Sequence, residues 1–261
     1  MSEVLTAAQM KAIEAAAIAS GAVTGLELME RAGAGVVAAV LEEWPEMALS
    51  PQRAVVLCGP GNNGGDGFVV ARLLAWRGWD VEVYLYGEAS RLPPDARVNY
   101  ERWCEVGEVR GLASGSVGSD EKYAMVWGVD LVIDALFGIG LSRMAPWFEQ
   151  VDCLMHECFF HANYDADYTP LPRIVAIDVP SSLCADSGRE LITAHNGGAS
   201  DPYRAHVTVT FHAPKRGHLL SEGAELCGKL AVADIGLILP HDWQGSWQVL
   251  PPSRMLLNKR M

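Results

Sequence analysis

A dense run of glycines and side-chain oxygens, Gly59-Pro60-Gly61-Asn62-Asn63-Gly64-Gly65-Asp66-Gly67, follows the apolar stretch 54–58. Glycines let the chain turn tightly and bring bare N–H groups close to an anion. The apolar pattern after the run predicts a helix whose positive N-terminal end faces the same place. Asn62, Asn63 and Asp66 add amide and carboxylate oxygens. The run therefore predicts a site for a phosphate-bearing nucleotide.

Two aspartates follow or end further apolar stretches. Asp134 lies in the stretch 131–136, and Asp178 follows the stretch 174–177, with Ser181 three residues later. Ligands of open α/β sheets bind outside the carboxyl ends of the strands, so we expect these side chains near the glycine run. Two carboxylates, an asparagine oxygen and a serine hydroxyl suit a hard cation, and a single carboxylate suits proton transfer. The residues alone leave both chemistries open.

A dinucleotide fingerprint is the competing interpretation of the glycine run. Gly59, Gly61 and Gly64 satisfy G-x-G-x-x-G, and Glu82 lies near the spacing of an acid that binds a ribose. The continuation Gly65-Asp66-Gly67, however, is expected to delay the helix and places a carboxylate where a pyrophosphate-binding turn avoids negative charge. A standard dehydrogenase site is therefore disfavoured.

The elements that position these residues alternate between helical and strand patterns. Capping boxes at Thr6–Gln9 and Thr24–Glu27 predict two N-terminal helices, with Gly21 between them. Further helices are predicted at about 67–78, 94–106 and 145–160, strands at 54–58, 81–86, 131–136, 174–177, 207–211 and 230–235, a loop at 111–119 and an irregular tail at 240–261. This order predicts the α/β class, as a Rossmann-like three-layer sandwich with a largely parallel sheet. Because the connection between the last two strands is short, that pair is allowed to depart from parallel order. Residues 1–261 are expected to form a single domain.

Bulk properties exclude several classes of function. The net charge of −12 argues against nucleic acid as a partner, because phosphate backbones are bound by clustered Lys and Arg. No apolar run has the length of a membrane span and no signal peptide is evident, so we expect a soluble, cytoplasmic protein without a membrane partner. Cys153, His156, Cys158 and His161 lack a standard zinc spacing, and the apolar residues between them favour a packed helix.

At these residues the sequence resembles the NAD(P)H-hydrate epimerase family. The resemblance runs from about residue 5 to about 238, through the glycine–asparagine run and the segments 5–10, 28–33, 134–138, 178–181 and 209–215. The family interconverts the R and S forms of hydrated NADH and NADPH (NADHX and NADPHX), in which water has added to C6 of the nicotinamide ring. The resemblance thus implies an isomerase that repairs a damaged nucleotide.

The resemblance also implies roles for particular residues. Asp178 would be the catalytic acid and base, and Asn63, Asp134 and Ser181 would ligate a potassium ion. The substrate would contact Asn62, Asn63, Gly64, Gly65, Asp66, Gly138, Ile139, Gly140, Leu141, Ser142, Arg143, Met144 and Asp178. A homodimer is implied as well, together with a functional partnership with a separate NAD(P)H-hydrate dehydratase.

Three residues depart from the family pattern. Ser182 adds a Cβ where the family usually has glycine, and Cys184 stands in place of an aspartate. His212 also replaces a usual glycine. If the backbone needs the freedom of glycine at these positions, the pocket geometry changes. The alternative function is therefore a catalytically inactive module of the same fold that senses a nucleotide or binds a protein.

Overall fold

The computed structural model describes residues 4–112, 128–141, 172–191 and 203–237. The strands are β1 (Arg53–Cys58), β2 (Asp80–Leu85), β3 (Val109–Gly111), β4 (Leu131–Ala135), β5 (Arg173–Ile177), β6 (Val207–Phe211) and β7 (Lys229–Ala233). The helices are α1 (Ala7–Ala19), α2 (Gly25–Glu43), α3 (Asn62–Ala75), α4 (Pro94–Cys104) and the short α5 (Gly223–Leu226). The predicted helix 145–160, the cysteine–histidine cluster at 153–161, the tail 240–261 and most of the loop 111–119 lie outside the described residues.

The seven strands form one sheet in the order β3-β2-β1-β4-β5-β6-β7, and every neighbouring pair is parallel. This confirms the predicted α/β class with a parallel sheet and two N-terminal helices. From β1 the chain adds β2 and then β3 towards one edge of the sheet. It then returns to place β4 on the other side of β1 and continues towards the opposite edge, so the strand order reverses beside β1. Ligand sites of doubly wound sheets form at such a reversal. The glycine run, which follows β1, is therefore at the position where a site is expected.

The parallel pairing of β6 with β7 corrects the expectation of a departure there. The connecting residues 212–228 contain a 3-10 turn (Arg216–His218) and α5, which together carry the chain back across the end of the sheet. A connection of this length permits a parallel crossover. The three-residue edge strand β3 was also missed, because a strand that short has no detectable periodicity.

The two N-terminal helices begin where the sequence predicts. Thr6 Oγ1 accepts a hydrogen bond from Gln9 N at 3.2 Å, and Gln9 Oε1 accepts one from Thr6 N at 2.8 Å. Thr24 and Glu27 form the same reciprocal pair at 3.1 and 2.8 Å. Gly21 follows α1 with φ of +74°, a conformation that glycine adopts at no steric cost. Both predicted capping boxes are confirmed.

Helix α3 begins earlier than predicted, at Asn62 rather than near residue 67. The glycines therefore lie inside its first turns and do not delay it. A Cβ at Gly64 would lie 2.0 Å from Gly59 O, and one at Gly65 would lie 2.5 Å from Met29 Sδ. These glycines allow the helix to start directly against the end of β1 and against α2, which the pattern of a long loop did not anticipate.

The apolar faces of α2, α3 and α4 pack on one face of the sheet, over residues such as Val56, Ile133 and Val209. The opposite face carries a second buried cluster that includes Val55, Val132 and Ile174. Burial on both faces explains why the strands read as continuous apolar runs. Among the residues that the structure describes, no helix combines the length and the apolar composition needed to cross a bilayer.

Candidate functional site

A cleft of about 630 Å³ opens at the carboxyl ends of β1, β4 and β5. Its size suits a small organic ligand. Four groups of residues line it: Lys11, Glu14, Ala15 and Ile18 of α1; Pro60, Gly61, Asn62, Asn63 and Asp66 after β1; residues 136–141 after β4; and Pro93, Asp178 and Phe211. The helix α1, which the sequence suggested only as a packing element, forms one wall.

The residues predicted to contact substrate separate into three groups. Those that line the cleft are Asn62, Asn63, Asp66, Gly138, Ile139, Gly140, Leu141 and Asp178. Gly64 and Gly65 are buried in α3 and are not among the lining residues. Ser142, Arg143 and Met144 lie outside the described residues. Contact of any of these residues with a substrate stays a prediction.

Asp178 holds its carboxylate in a fixed set of hydrogen bonds at the base of the cleft. Oδ1 accepts from Thr210 Oγ1 at 2.9 Å and lies 2.9 Å from Lys215 Nζ, while Oδ2 accepts from Ile139 N at 3.2 Å. Burial alone would raise the pKa of Asp178, but Lys215 and Thr210 outweigh it, so the pKa lies below its usual range. Asp178 is therefore ionised at neutral pH.

Lys215 is a fully buried lysine with every donor direction used. Besides its pairing with Asp178, Nζ donates to Thr210 Oγ1 at 2.7 Å and to Phe211 O at 3.0 Å. Such complete hydrogen bonding is what a buried ammonium group requires, because an unpaired charge in an apolar interior is strongly unfavourable. The arrangement fixes a positive charge directly behind Asp178.

The N-terminal segment holds the loop that carries Lys215. Leu5 N donates to Pro214 O at 2.9 Å, and Arg216 N donates to Leu5 O at 2.9 Å. Leu5 and Lys215 thus form a parallel bridge outside the main sheet. On the other side of this turn, Asp186 Oδ1 accepts from Ala7 N at 2.7 Å, at the start of α1. The same contacts position Lys215 and the helix that forms one wall of the cleft.

His218 joins Asp178 to Lys215 through the backbone. Its Nδ1 accepts a hydrogen bond from Lys215 N at 3.0 Å, which places the ring proton on Nε2 and lets Nε2 donate to Asp178 O at 2.7 Å. Burial lowers the pKa of His218 to about 4, so the ring is neutral at physiological pH. Asp178 itself has φ of +67°, and the bond to its carbonyl oxygen helps hold that uncommon conformation.

Two further carboxyl groups, Glu14 and Asp66, line the cleft. Burial, together with the negative charges of Asp178 and Glu14, raises the pKa of Asp66 well above its usual range. Burial and Asp178 also raise the pKa of Glu14, although Lys215 and Lys11 act in the opposite direction. The cleft therefore combines the ionised Asp178 with two carboxyl groups whose pKa values are raised, that of Asp66 more strongly than that of Glu14.

Asp134 and Ser181 belong to a buried network behind the cleft wall. Ser181 Oγ donates to Asp134 Oδ1 at 2.5 Å, and Ser181 N donates to Oδ2 at 2.9 Å. Tyr203 OH and Leu136 N donate to the same carboxylate. Burial raises the pKa of Asp134, and the hydrogen bonds from Ser181 and Tyr203 oppose that rise. The acceptor positions of Asp134 are thus filled by protein groups.

The predicted potassium ligands meet around the loop after β4. Phe137 N donates to Ser181 Oγ at 2.9 Å, and a Cβ on the next residue, Gly138, would lie 2.9 Å from Asn63 Oδ1. The buried Nδ2 of Asn63 has no hydrogen-bond partner within the described ranges, and a rotated amide would present an oxygen there. Asn63 and Ser181 therefore fit oxygen ligation of a cation, whereas Asp134 fits only by releasing one of its donors.

The departures from the family pattern lie away from the cleft wall, because neither Ser182 nor Cys184 lines it. Ser182 does not adopt a positive φ, so the expected conflict with its Cβ is wrong. Its hydroxyl is buried and finds no hydrogen-bond partner among the residues described. His212 is the residue that takes a left-handed conformation, with φ of +64°. Of the three departures, only His212, directly after β6, takes this conformation, which Asp178 and Ser221 also adopt.

Sequence reasoning assigned no role to four residues of the site: Lys11, Glu14, Lys215 and His218. Lys215 ends a segment that carries the family resemblance, and that position was the available signal. Glu14 and Lys11 lie one turn apart on α1, where the apolar periodicity of the helix suggested packing alone. Lys11 Nζ would lie 3.8 Å from a Cβ on Gly140, so this ammonium group stands above the loop after β4.

Glu82 does not take part in the cleft. It forms ion pairs with Arg53 and Arg110 and accepts a hydrogen bond from Tyr84 OH at 2.9 Å. Those contacts explain its position on β2 without a ribose. Glu82, the acid that the dinucleotide fingerprint would need to bind a ribose, is therefore already paired with neighbouring side chains. This further disfavours the dehydrogenase interpretation.

The parallel sheet and its carboxyl-lined cleft define a Rossmann-like protein with a ligand site at the topological switch point. Residues 25–217 match the family described as "YjeF-related protein N-terminus". The NAD(P)H-hydrate epimerase of Rhodobacter capsulatus is 46% identical over 228 residues, which is 85% of this chain and 95% of that protein. That of Roseobacter litoralis is 42% identical, covering 91% of this chain and all of that protein. The chain belongs to the NAD(P)H-hydrate epimerase family.

Two other similarities extend this picture. The bifunctional NAD(P)H-hydrate repair enzyme Nnr of Moorella thermoacetica is 34% identical over 89% of this chain, and the match spans 40% of that longer protein. The crystal structure of yeast ynu0 has a TM-score of 0.66, with 22% identity over 92% of this chain and 91% of the yeast chain. The yeast structure supports the fold.

Proposed function

We propose that this protein is an isomerase that interconverts the R and S forms of NADHX and NADPHX at nicotinamide C6. The proposal depends mainly on one observation: Asp178 is an ionised carboxylate at the base of a cleft that the glycine–asparagine run also lines. Epimerisation of a hydrated ring requires removal and return of water beside a proton-transferring group. The family relatives named above support the choice of substrate.

The reaction at C6 needs no redox chemistry. The hydroxyl oxygen leaves C6 as water once it is protonated, because the lone pair on N1 forms a C6=N1 double bond and a planar iminium. Water then adds to either face of C6, and a base removes its extra proton. Asp178 suits the base, since Lys215 and Thr210 keep its carboxylate ionised and Ile139 N orients it.

The first turn of α3 supplies a place for the phosphates of the nucleotide. Helix N-termini attract anions through their free N–H groups and the helix dipole, and α3 begins at Asn62 on the cleft wall. Lys11 adds a positive charge on the opposite wall. The pyrophosphate is therefore proposed to lie between α3 and α1, with the hydrated ring directed towards Asp178. The raised pKa of Asp66 reduces the negative charge that would otherwise oppose an anion at this turn.

A potassium ion is a further part of the proposal. Asn63 and Ser181 would hold it by their side-chain oxygens, and Asp134 would supply a carboxylate after rotation of the Ser181 hydroxyl. When bound, the ion would place a positive charge near the loop after β4 and attract the anionic nucleotide. The support is the buried amide nitrogen of Asn63, which has no hydrogen-bond partner among the described residues and lies beside Gly138.

The proposal includes a cytoplasmic location, a homodimer and cooperation with a dehydratase that consumes one epimer. The relative from Moorella thermoacetica, named as a bifunctional repair enzyme, supports the last point. A dehydratase on a separate chain would be the partner of this protein. Sedimentation equilibrium tests the dimer independently of activity.

The direct test uses purified protein with isolated R-NADHX and follows the appearance of the S form by chromatography. We expect equilibration much faster than the spontaneous reaction. Asp178→Asn should abolish this acceleration and retain binding of NADPH, measured by its fluorescence. Asp80→Asn, an exposed aspartate of β2, is the matched control and should remain active. Binding without acceleration by the unaltered protein would overturn the enzyme and favour an inactive nucleotide-sensing module.

A further inference from the structure

Three carboxyl groups from three different elements meet at the cleft, namely Glu14 of α1, Asp66 of α3 and Asp178 after β5. Their electrostatic surroundings differ. Asp178 has its own cation in Lys215, which is buried against it. Lys11 lies on the same helix face as Glu14, one turn earlier, and its charge acts on that carboxyl group. Within the described residues, no lysine or arginine forms an ion pair with Asp66.

The groups that face Asp66 from the surrounding elements are acidic. Glu14 approaches from α1 and Asp178 from the end of β5, and Asp95 of α4 shares a smaller adjoining cavity with Asp66. The Cys58 thiol of β1 lies below it and is uncharged, since burial raises the pKa of Cys58 well above its ordinary value. Burial and these neighbouring carboxyl groups both make a negative charge on Asp66 unfavourable, so Asp66 holds its proton to higher pH than Asp178 does.

This distribution separates the two functions that acid–base catalysis needs. A carboxylate with a bound cation accepts a proton, and a protonated carboxyl group without one donates a proton. Asp178 meets the first description and Asp66 meets the second. Both line the cleft in which the nucleotide is proposed to bind, and the charge of Asp178 acts on Asp66, so the two groups are near enough to act on one bound ring.

We propose that Asp66 is a second catalytic residue, the proton donor that releases the C6 hydroxyl as water. This inference rests on the proposed epimerase function. The Asp66 O–H bond breaks and its proton forms a bond to the hydroxyl oxygen, the C6–O bond breaks, and the N1 lone pair becomes the C6=N1 bond. When water adds to C6, that electron pair returns to N1 and Asp178 takes the extra proton. Asp178 then releases this proton to solvent and Asp66 takes one up, which restores the starting state.

The test compares the unaltered protein with Asp66→Asn, which keeps the shape of the side chain and cannot donate an acidic proton. The reaction is conversion of isolated R-NADHX to the S form, measured across the pH range in which the protein stays folded, with the spontaneous rate subtracted. In the unaltered protein, kcat should fall as pH rises through the pKa of Asp66. Asp66→Asn should lower kcat by about 100-fold or more and remove this basic limb, with NADPH affinity retained.

Glu14→Gln provides a second variant in which Asp66 is intact. Loss of the neighbouring negative charge makes deprotonation of Asp66 easier, so the basic limb of kcat should move to lower pH. Unchanged activity and an unchanged basic limb in Asp66→Asn would overturn the role of Asp66. An unchanged limb in Glu14→Gln would also contradict it. By contrast, lack of acceleration by the unaltered protein would overturn the epimerase function itself, which keeps the two failures distinct.

Discussion

Lys215 Nζ lies 2.9 Å from Asp178 Oδ1, and both groups are buried beside the cleft. A buried ion pair does not guarantee net stability, because both charges lose their hydration. Here, however, Thr210 and Phe211 complete the hydrogen bonding of the ammonium group. The pair therefore holds an ionised carboxylate in a position where isolated burial would protonate it.

Replacing Lys215 by methionine should leave Asp178 as a buried charge without a partner. We expect the free energy of unfolding, measured in urea at pH 7.5, to fall by about 3–5 kcal/mol. The pKa of Asp178 should rise in the surviving folded protein, so the acidic limb of kcat should move to higher pH. Lys11→Met, at an exposed lysine of the same cleft, should change stability by less than about 0.5 kcal/mol. Equal stability and equal pH profiles for the unaltered protein and Lys215→Met would refute the assignment.

His218 should make stability depend on pH below neutrality. Its pKa in the folded protein is about 4, compared with 6.5 for the ordinary imidazole. The unfolded chain therefore binds a proton that the folded protein excludes, and stability falls as pH drops from 6.5 to 4, by about 3 kcal/mol in total. His218→Asn should be less stable at pH 7, but the difference from the unaltered protein should narrow by about that amount at pH 4. Parallel curves of unfolding free energy against pH would exclude this role.

Gly138→Ala should impair catalysis more than folding. A Cβ at this position would lie 2.9 Å from Asn63 Oδ1 and 3.1 Å from Asp178 Oδ2, so one of these side chains must move. Small displacements of reacting groups are costly, and we expect kcat to fall by about 10- to 100-fold. Gly111→Ala is the control, because no atom of the described residues lies within 4 Å of a Cβ at that glycine of β3. Equal kcat values for the two variants would contradict the close packing described for this loop.

Ser181 should connect activity to potassium if the proposed ion site is correct. Replacing potassium in the buffer by tetramethylammonium should lower the rate of epimerisation by the unaltered protein, and Ser181→Ala should reduce that dependence. The variant should also lose about 1–3 kcal/mol of stability, because Asp134 loses a hydrogen-bond donor.

The neighbouring Ser182→Ala is the matched control for this experiment. It removes a buried hydroxyl that has no partner among the described residues, so stability should stay equal or rise. Potassium dependence should be the same as in the unaltered protein. If both serine variants respond to the ion as the unaltered protein does, the assignment of Ser181 as a ligand is wrong.

The architecture was largely predictable from local patterns. The apolar runs identified six of the seven strands, and the capping boxes at Thr6 and Thr24 identified the first two helices. These signals are local, since they depend on residues within one turn or one strand. The start of α3 was misplaced, because glycine is a poor helix former and only the close approach of Gly64 to Gly59 explains its presence.

The site was predictable where residues follow strands and hidden where distant segments meet. Asp178 and Asn63 could be identified because β1 and β5 end at the same edge of a parallel sheet, on either side of β4. Lys215 and Glu14 could not, since their approach to the cleft depends on the bridge between Leu5 and the loop after β6. Hydrophobic periodicity describes single helices and strands, so it does not predict a contact between residues about 200 positions apart in the sequence.

The bridge between Leu5 and Lys215 determines the order in which parts of the site can form during synthesis. Leu5 leaves the ribosome long before Pro214 and Arg216, its hydrogen-bond partners. Until those residues emerge, the strand ends can assemble, but Asp178 has no cation and α1 lacks its anchor at the loop. The nascent chain would thus form most of its sheet first and the ion pair between Lys215 and Asp178 last. Chemical competence would arise as a late step of translation.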